Sequence, residues 1–214
     1  MKVLVTGFEP FGGEPFNPSG ACLAVVRQEL SGTFDVKTEQ LPVDLESVRH
    51  RVPELLSEYS PDIYLALGLA PGRHAMAVER VAINVLDFPI PDNVGSSPAD
   101  EPVVADGPLA YAATLPIRAI VSECTAAGLP IYVSNTAGTY LCNATMYLGL
   151  DWAVRQGATT RVGFIHLPHA AEHVPRPDQT GALPLVFMAR GVAQAIHVSA
   201  RVSQEITGHG GAMH

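Results

Sequence analysis

The sequence predicts an α/β layered fold with a largely parallel sheet, and three observations support this class. Short apolar runs of strand length alternate with longer segments of helical pattern along the chain, which is typical of parallel strands joined by helices. Hydrophobic residues make up 47% of the 214 residues and charged residues only 16%, so a sizeable core is expected. No internal repeat or linker interrupts the alternation. Residues 1–214 are therefore expected to form a single domain, with a frayed tail at about 207–214.

The first half of the chain begins with a predicted strand at residues 2–7, "KVLVTG", which leads into a turn. A helix follows over residues 18–32 and ends at Gly32, because glycine readily adopts the left-handed conformation that ends helices. A second helix, over residues 44–59, contains Pro53, which lacks an N–H and is expected to kink or restart it. The other predicted strands of this half lie at residues 34–41, 62–68 and 75–86.

The second half continues the alternation. A helix is expected over residues 114–128, with Thr114 as its N-cap and Gly128 as its stop. The other predicted elements are strands at residues 129–134 and 160–167 and helices at residues 140–157 and 183–204. In sheets of this kind, ligands bind just beyond the carboxyl ends of the strands. The chemistry of the protein is therefore expected at that edge.

Composition excludes several classes of protein. The net charge of -8 and the pI near 5.4 argue against a basic nucleic-acid-binding face. No apolar run approaches the roughly 20 residues needed to span a bilayer, and "MKVLVTG" reads as a strand without a signal-peptide pattern after it. Cys22, Cys124 and Cys142 are odd in number and form no CxxC pair. A disulfide framework or a cysteine zinc site is therefore not expected. The expected location of the protein is a reducing cytoplasm.

Glu79 interrupts an apolar row. In "AMAVERVAINV", strand alternation places it on the same face as five apolar residues. These neighbours are Ala75, Ala77, Val81, Ile83 and Val85. A buried carboxylate costs several kcal/mol unless it is paired or protonated. Glu79 is therefore interpreted either as half of a structural ion pair with an arginine or as an orienting carboxylate beside a catalytic base.

His166 ends the apolar strand "RVGFIHL", and Pro168 stops that strand two residues later. A histidine at the carboxyl end of a strand lies where this architecture places its ligands. Two interpretations remain open. His166 is either a catalytic residue or a core histidine bonded to a backbone carbonyl.

Cys142 lies at the start of a predicted helix, and Thr139 is the expected cap. In the first turn, unpaired N–H groups and the helix dipole favour a thiolate, which predicts a pKa below the free value of ~8.5. The same N–H groups would hold an oxyanion. The alternative is a small core side chain, which suits Cys22 and Cys124 better because both lie mid-helix in apolar stripes. A thiolate, an imidazole and a carboxylate are the parts of a cysteine hydrolase.

Five segments resemble a known family. They are "VTGFEPFGGEPFNPS", "GRHAMAVERVAIN", "PVVADGPLAYAATLPI", "VSNTAGTYLCN" and "GFIHLP". In this order and with this coverage of the chain, they resemble the pyrrolidone carboxyl peptidases, also called pyroglutamyl peptidases I, which are the C15 cysteine peptidases.

The resemblance implies a three-layer α/β/α sandwich with a twisted, mostly parallel central sheet. It implies Cys142 as nucleophile, His166 as general base and acid, and Glu79 as the residue that orients His166. The activity implied is removal of N-terminal pyroglutamate from peptides through a thioester acyl-enzyme, without metal or organic cofactor, by a cytosolic homotetramer. The resemblance also places Phe8 and Phe11 on either side of the lactam ring. The rest of the predicted pocket is Asn17, Leu69, Ile90, Tyr140 and Leu141.

The sequence departs from the family pattern near this pocket. It reads "GLAPGR", with Leu69 and Pro71, where relatives commonly read "GQAGGR". It reads "FPIPDN" where relatives read "ARIPDN", so Pro89, which has no N–H, replaces an arginine. After His166, "PHAAEH" replaces "PFLPEQ". These changes leave Glu79, Cys142 and His166 in place and bear on ring preference and turnover rate.

Three other functions are considered. "HAAEH" matches an inverted zinc-peptidase pattern, with His169 and His173 as ligands and Glu172 as base, although nearby prolines leave little room for a helix. A nucleoside-phosphorylase-like enzyme would need a phosphate loop, but "TGFEPFGG" contains neither GxGxxG nor a GK[ST] ending. The third alternative is a homologue that binds pyroglutamyl peptides without cleaving them, or with relaxed specificity, because of Leu69 and Pro89.

Overall fold

The computed structural model describes residues 1–174, 181–203 and 205. The predicted frayed tail at 207–214 lies outside these residues. The strands are β1 (Lys2–Phe8), β2 (Asp35–Leu41), β3 (Ile63–Leu69), β4 (Met76–Ile83), β5 (Ala110–Ala112), β6 (Ile131–Thr136), β7 (Arg161–Leu167), β8 (His169–Ala170) and β9 (Ala182–Leu183). The helices are α1 (Pro18–Leu30), α2 (Leu45–Tyr59), α3 (Ile117–Ala126), α4 (Leu141–Arg155) and α5 (Leu185–Arg201).

The central sheet is mostly parallel, as predicted. Strands β2, β1, β3 and β7 lie side by side in that order, and each neighbouring pair is parallel. Strand β4 pairs antiparallel with β7 and β5, and parallel with β6. The register places His166 between Gly68 of β3 and Ala77 of β4. The reversal between β7 and β4 therefore brings the histidine beside the strand that carries Glu79.

Helices cover both faces of the sheet, which gives the predicted three-layer α/β/α sandwich. One core contains apolar side chains of α1, α3 and α5 together with Val3, Val5 and Leu65 of the strands. The second contains those of α2 and α4 together with Leu4 and Tyr64. Consecutive residues of β1 thus enter opposite cores, because side chains alternate along a strand. Strands buried on both faces explain the long apolar runs in the sequence.

Two predicted helix caps are wrong. Helix α3 begins at Ile117, and the Thr114 hydroxyl instead accepts a hydrogen bond from the Val162 N–H at 2.7 Å. The Thr139 hydroxyl donates to the Asp87 carbonyl at 2.7 Å, and Tyr140 occupies the N-cap position of α4. In both cases the hydroxyl satisfies a backbone group of a neighbouring segment.

Of three other local predictions, the first is confirmed and the other two differ in detail. The chain turns at Gly32 and Gly128 with φ of 85° and 77°, as expected for glycines that follow helices. Pro53 lies inside α2, which runs unbroken from Leu45 to Tyr59, so the helix does not restart there. Strand β4 ends at Ile83, three residues earlier than the predicted end at residue 86.

Candidate active site

Glu79 and His166 form a buried hydrogen-bonded pair. Their exposed fractions are 0% and 5%, and His166 Nδ1 lies 2.7 Å from Glu79 Oε1. Because Ala77 pairs with His166 in register, Glu79 lies two residues further along β4 on the same face. An ionised carboxylate only accepts hydrogen bonds, so Nδ1 carries the proton and Nε2 keeps its lone pair. The pair therefore presents Nε2 as a base.

Arg73 also contacts Glu79 and was not identified from the sequence. Its Nη1 donates to Glu79 Oε1 at 3.0 Å, so one carboxylate oxygen accepts hydrogen bonds from both the guanidinium and the imidazole. Glu79 thus forms an ion pair with an arginine and a hydrogen bond to a histidine through the same oxygen. The other oxygen, Oε2, is buried and has no hydrogen-bond partner within the described part of the chain. The signal for Arg73 was its position in "GRHAMAVERVAIN", six residues before Glu79.

Cys142 is the second residue of α4. Tyr140, at the N-cap, makes no side-chain capping bond to the described residues, so the N–H groups of the first turn are left for another acceptor. A Cβ built on Gly68 would lie 2.6 Å from the Cys142 sulfur, and Gly68 is the parallel-strand partner of His166. Side chains of such partners point to the same face. The thiol therefore lies on the same face of the sheet as the His166 side chain, over the neighbouring strand.

Gly68 is a second residue that the sequence did not single out. Besides the sulfur, a Cβ at this position would meet the Phe164 ring at 2.8 Å. Phe164 in turn packs against His166, with ring centroids 4.8 Å apart. The missing side chain of Gly68 thus leaves room for both the Cys142 thiol and the Phe164 ring that packs on His166.

The expected lowering of the Cys142 pKa is wrong for this structure. Burial, followed by the negative charge of Glu79, raises the pKa of the Cys142 thiol to about 12. Arg73 and the backbone N–H of Cys142 lower the pKa, but they do not offset the loss of hydration. Cys142 is therefore a neutral thiol at rest, and an attack by its sulfur would require transfer of the thiol proton to a base.

The other two cysteines are core residues, as expected. Cys22 and Cys124 are completely buried, and each sulfur lies 3.8 Å from a helix carbonyl oxygen, of Leu185 and Gly191 respectively. Burial raises the pKa of each to about 12. Neither faces the pocket that Cys142 lines.

A pocket of about 290 Å³, including its open mouth, adjoins the Cys142 thiol. Every residue predicted for the pocket except Ile90 lines it. The lining residues are Phe8, Phe11, Asn17, Val43, Leu69, Tyr140, Leu141 and Cys142. Ile90 is 43% exposed and faces the turn after Phe11, where it would lie 4.0 Å from a Cβ at Gly12. Val43 was missed, because nothing in its sequence context marks it as a pocket residue.

The polar side chains of the pocket are already engaged. The Asn17 amide donates to the Glu9 carbonyl and accepts from Ser19, so it acts as the N-cap of α1. The Tyr140 hydroxyl donates to the Pro91 carbonyl. The Tyr140 ring packs on Phe11, with ring centroids 6.2 Å apart. The walls are therefore apolar and aromatic. Backbone groups are therefore the main candidates for recognising polar atoms of a ligand.

The "HAAEH" segment does not have the geometry of a zinc site. Residues Ala171–His173 form a single 3-10 turn and His169 lies in β8, so the histidines do not share a helical face. The Glu172 carboxylate accepts the Leu185 N–H at 3.1 Å, and the His173 ring stacks on Phe16 at 4.1 Å. Across residues 1–174, 181–203 and 205, no cluster of three His, Cys, Asp or Glu side chains is placed to hold a metal.

The helices of the described chain include none that is both long and apolar enough to cross a membrane.

The chain is similar to proteins of one family. A family model described as pyroglutamyl peptidase, Peptidase_C15, matches residues 1–203. The pyrrolidone-carboxylate peptidase of Thermococcus kodakarensis is 45% identical over 213 residues, covering 98% of this chain and 100% of the relative. The enzyme of the same name from Pyrococcus furiosus is 40% identical over 205 residues, covering 96% and 99%.

Solved structures agree with these relatives. The crystal structure of Bacillus amyloliquefaciens pyroglutamyl peptidase I superposes with a TM-score of 0.90 at 36% identity, covering 96% of this chain and 99% of that one. Pyrrolidone carboxyl peptidase from Thermococcus litoralis superposes with a TM-score of 0.87 at 36% identity and the same coverage. These matches do not favour the zinc-hydrolase or the non-catalytic alternative. Since the family model and the relatives span nearly the whole sequence, the chain belongs to the pyroglutamyl peptidases, peptidase family C15.

Proposed function

We propose that the protein is a cysteine exopeptidase that removes N-terminal pyroglutamate from peptides. The observation that carries this proposal is the convergence of three side chains beside an apolar pocket. Cys142 lines the pocket, its sulfur packs against Gly68, the register partner of His166, and Glu79 accepts the Nδ1 proton of His166. Membership of the pyroglutamyl peptidase family supports the same reaction.

The residues act as nucleophile, base and orienting carboxylate. The Cys142 proton moves to His166 Nε2 as the sulfur attacks the pyroglutamyl carbonyl carbon. The first-turn N–H groups of α4 face the negative charge that develops on the carbonyl oxygen. The tetrahedral intermediate collapses to a thioester, and the imidazolium protonates the departing amine. Water, deprotonated by His166, then attacks the thioester, which releases pyroglutamate and restores the thiol.

The pocket suits the lactam ring. Pyroglutamate is flat and uncharged, and the walls formed by Phe8, Phe11 and Leu69 are apolar. The pocket is small, because its volume of about 290 Å³ includes the open mouth, so it suits a ligand no larger than a single ring. N-terminal proline has a similar ring but carries a positive charge, which is costly to bury among apolar side chains. Prolyl peptides are therefore expected to be rejected.

A turnover assay tests this function. Reduced, metal-free protein is incubated with pyroglutamyl- and prolyl-coumarin amides side by side. Release from the pyroglutamyl substrate alone, resistant to EDTA and abolished by iodoacetamide, is expected. Cys142→Ser and His166→Ala should both lose nearly all turnover while remaining folded, because the two residues work as a unit.

The other cysteines provide matched controls. Cys22→Ser and Cys124→Ser should keep turnover per folded molecule, because both thiols are in the core. Equal losses in all three serine variants would refute Cys142 as the nucleophile. No release by the wild-type protein would mean that it binds such peptides without cleaving them.

We also infer a cytosolic homotetramer. The family resemblance supports both features, and the free state of Cys22, Cys124 and Cys142 is consistent with a reducing compartment. Val186 and Phe187 at the start of α5 are 42% and 40% exposed, which supports an association surface there. Light scattering after size-exclusion chromatography tests the assembly: a tetramer mass is expected, and a monomer mass would exclude it.

A further inference from the structure

Arg73 is placed to influence the catalytic carboxylate without entering the pocket. Its Nη1 donates to Glu79 Oε1, the same oxygen that receives His166 Nδ1. The Arg73 side chain is 28% exposed, whereas that of Glu79 is fully buried. Arg73 does not line the pocket. Any effect of Arg73 on the reaction therefore passes through Glu79 or through its electric field.

The Arg73 side chain is held from more than one side. Its guanidinium lies over the Tyr132 ring of β6, with the central carbon 6.0 Å from the ring centroid. The backbone of Arg73 is also closely packed, because a Cβ built on Gly181 would lie 2.4 Å from the Arg73 carbonyl oxygen. Gly181 has φ of 96°, so the chain there depends on glycine. These contacts fix the guanidinium before any substrate arrives.

The positive charge of Arg73 counteracts an unfavourable effect of Glu79 on the Cys142 thiol. Glu79 orients His166, but its negative charge also opposes a thiolate at Cys142. The titratable and charged groups near the thiol are Glu79 of β4, Arg73 of the turn before it, the His166 ring of β7 and the hydroxyl of Tyr140, the N-cap residue of α4. Of these groups, Arg73 carries the permanent positive charge. It offsets the field of the carboxylate at the sulfur.

We propose that Arg73 is a positioning residue for the peptidase reaction: it holds Glu79 Oε1 against His166 and balances the charge of that carboxylate beside Cys142. This role rests on the proposed function for its effect on turnover. Its effect on the thiol exists whatever peptide the protein cleaves.

Two substitutions separate charge from geometry. Arg73→Gln keeps an N–H donor for Glu79 but removes the charge, and Arg73→Lys keeps the charge. Arg51→Gln is the matched control, because the Arg51 side chain is 31% exposed and pairs with Glu39 far from the pocket. Each variant is compared with the wild type for kcat and KM on a pyroglutamyl-coumarin amide. In parallel, iodoacetamide alkylation of Cys142 is followed by mass spectrometry as a function of pH.

Arg73→Gln should lower kcat by roughly 10- to 100-fold with little change in KM, since the lost charge no longer offsets Glu79 as negative charge develops on the sulfur, which affects the transition state more than binding. Its alkylation profile should move to higher pH, because a charge that favours the thiolate is lost. Arg73→Lys should keep the wild-type profile, as should Arg51→Gln. A merely structural role would lower the melting temperature and leave the alkylation profile of the folded protein in place.

Unchanged kcat and alkylation in Arg73→Gln would overturn the proposal. If Arg73→Gln does not fold, Arg73→Lys decides: an alkylation profile that moves to higher pH despite the retained charge would also overturn it. Absence of turnover in the wild type would refute the peptidase function instead, and the alkylation comparison would still report on Arg73.

Discussion

The Glu79 carboxylate is completely buried, and its two oxygens have very different surroundings. Oε1 receives hydrogen bonds from Arg73 and His166, while Oε2 has no partner among the residues that the structure describes. Strand alternation predicted the burial of Glu79 from the sequence, because that depends only on its neighbours in β4. It did not identify Arg73 as the partner, because the pairing depends on how the turn before β4 folds back.

Glu79→Gln tests the orienting role of this carboxylate. The amide has the same shape, and its oxygen still accepts from Arg73 and from His166 Nδ1, but it carries no negative charge to stabilise the imidazolium that forms when His166 takes the Cys142 proton. We expect kcat to fall by roughly 10³- to 10⁴-fold with the fold retained. Glu39→Gln, which removes a carboxylate that pairs with Arg51 on the surface, is the control and should keep wild-type kcat. Turnover of Glu79→Gln within a few-fold of wild type would contradict the role.

Gly68→Ala tests whether the thiol needs the space at this position. The added methyl would lie 2.6 Å from the Cys142 sulfur, so the sulfur has to leave its present position. We expect a loss of turnover together with a destabilisation of about 1–3 kcal/mol from overpacking. Urea unfolding and the coumarin assay measure the two effects.

Gly163→Ala is the matched control for overpacking. Gly163 lies in β7, and its new Cβ would meet Leu115 at 2.5 Å, away from the thiol. It should lose stability but keep turnover per folded molecule. Similar turnover losses in both variants would mean that the effect of Gly68→Ala is not specific to the sulfur.

At the scale of elements, the position of the start of α4 was predicted correctly, but its effect on the Cys142 pKa was not. Cys142 does lie in the first turn, yet burial raises the pKa of its thiol to about 12. The sequence shows that a helix begins there, and the dipole argument follows from that alone. It does not show how much hydration the half-buried Cys142 thiol loses to the neighbouring strands, and this loss decides the direction of the pKa shift.

The raised pKa predicts how alkylation depends on pH. Below its folded pKa the Cys142 thiol is mostly protonated, so the rate of reaction with iodoacetamide should rise continuously from pH 7 to pH 10. Mass spectrometry of the Cys142 peptide at each pH measures this rate. A plateau reached near neutral pH would show a preformed thiolate and contradict the neutral-thiol mechanism.

The raised pKa values of the cysteines also predict that the free energy of unfolding falls as the pH rises above about 8.5. The folded pKa values of Cys22, Cys124 and Cys142 are about 12, above the value of ~8.5 for a free cysteine. The unfolded chain therefore loses thiol protons first as the pH rises. The stabilisation from these neutral thiols is complete below about pH 8.5 and is lost between there and about pH 12.

Pairing between elements was predictable only in part. Apolar runs predicted the parallel strands of β1, β3 and β7, because strands buried on both faces need long apolar stretches. They did not predict that β4 runs antiparallel to β7, since direction depends on where the connecting segments pass. The three-residue strand β5 was missed, because two of its residues are exposed and it has little apolar pattern.

At the scale of the whole molecule, the sheet assembles a site from residues far apart in sequence. Glu79 and His166 are separated by 87 positions and meet because β4 and β7 are neighbours. Helix α4 then brings Cys142 over Gly68 of β3. Residue types and strand ends indicated these three residues, and the family resemblance gave them roles. Their mutual distances required the fold.

The family substitutions take on a physical meaning in this fold. Leu69 is 6% exposed in the pocket wall, where it replaces a polar side chain of the family pattern. Pro89 is exposed and has no N–H to offer a ligand. Since Asn17 and Tyr140 already bond to the protein, discrimination between rings rests on backbone groups and on the cost of burying charge.

Trapping the acyl-enzyme tests the central claim most directly. Wild-type protein is mixed with a pyroglutamyl-coumarin amide, quenched in acid within the first turnover, digested and analysed by mass spectrometry. We expect one pyroglutamyl group, attached as a thioester to the peptide that contains Cys142, and no label in Cys142→Ser. Turnover without any label on Cys142, or with the label on Cys22 or Cys124, would contradict the account.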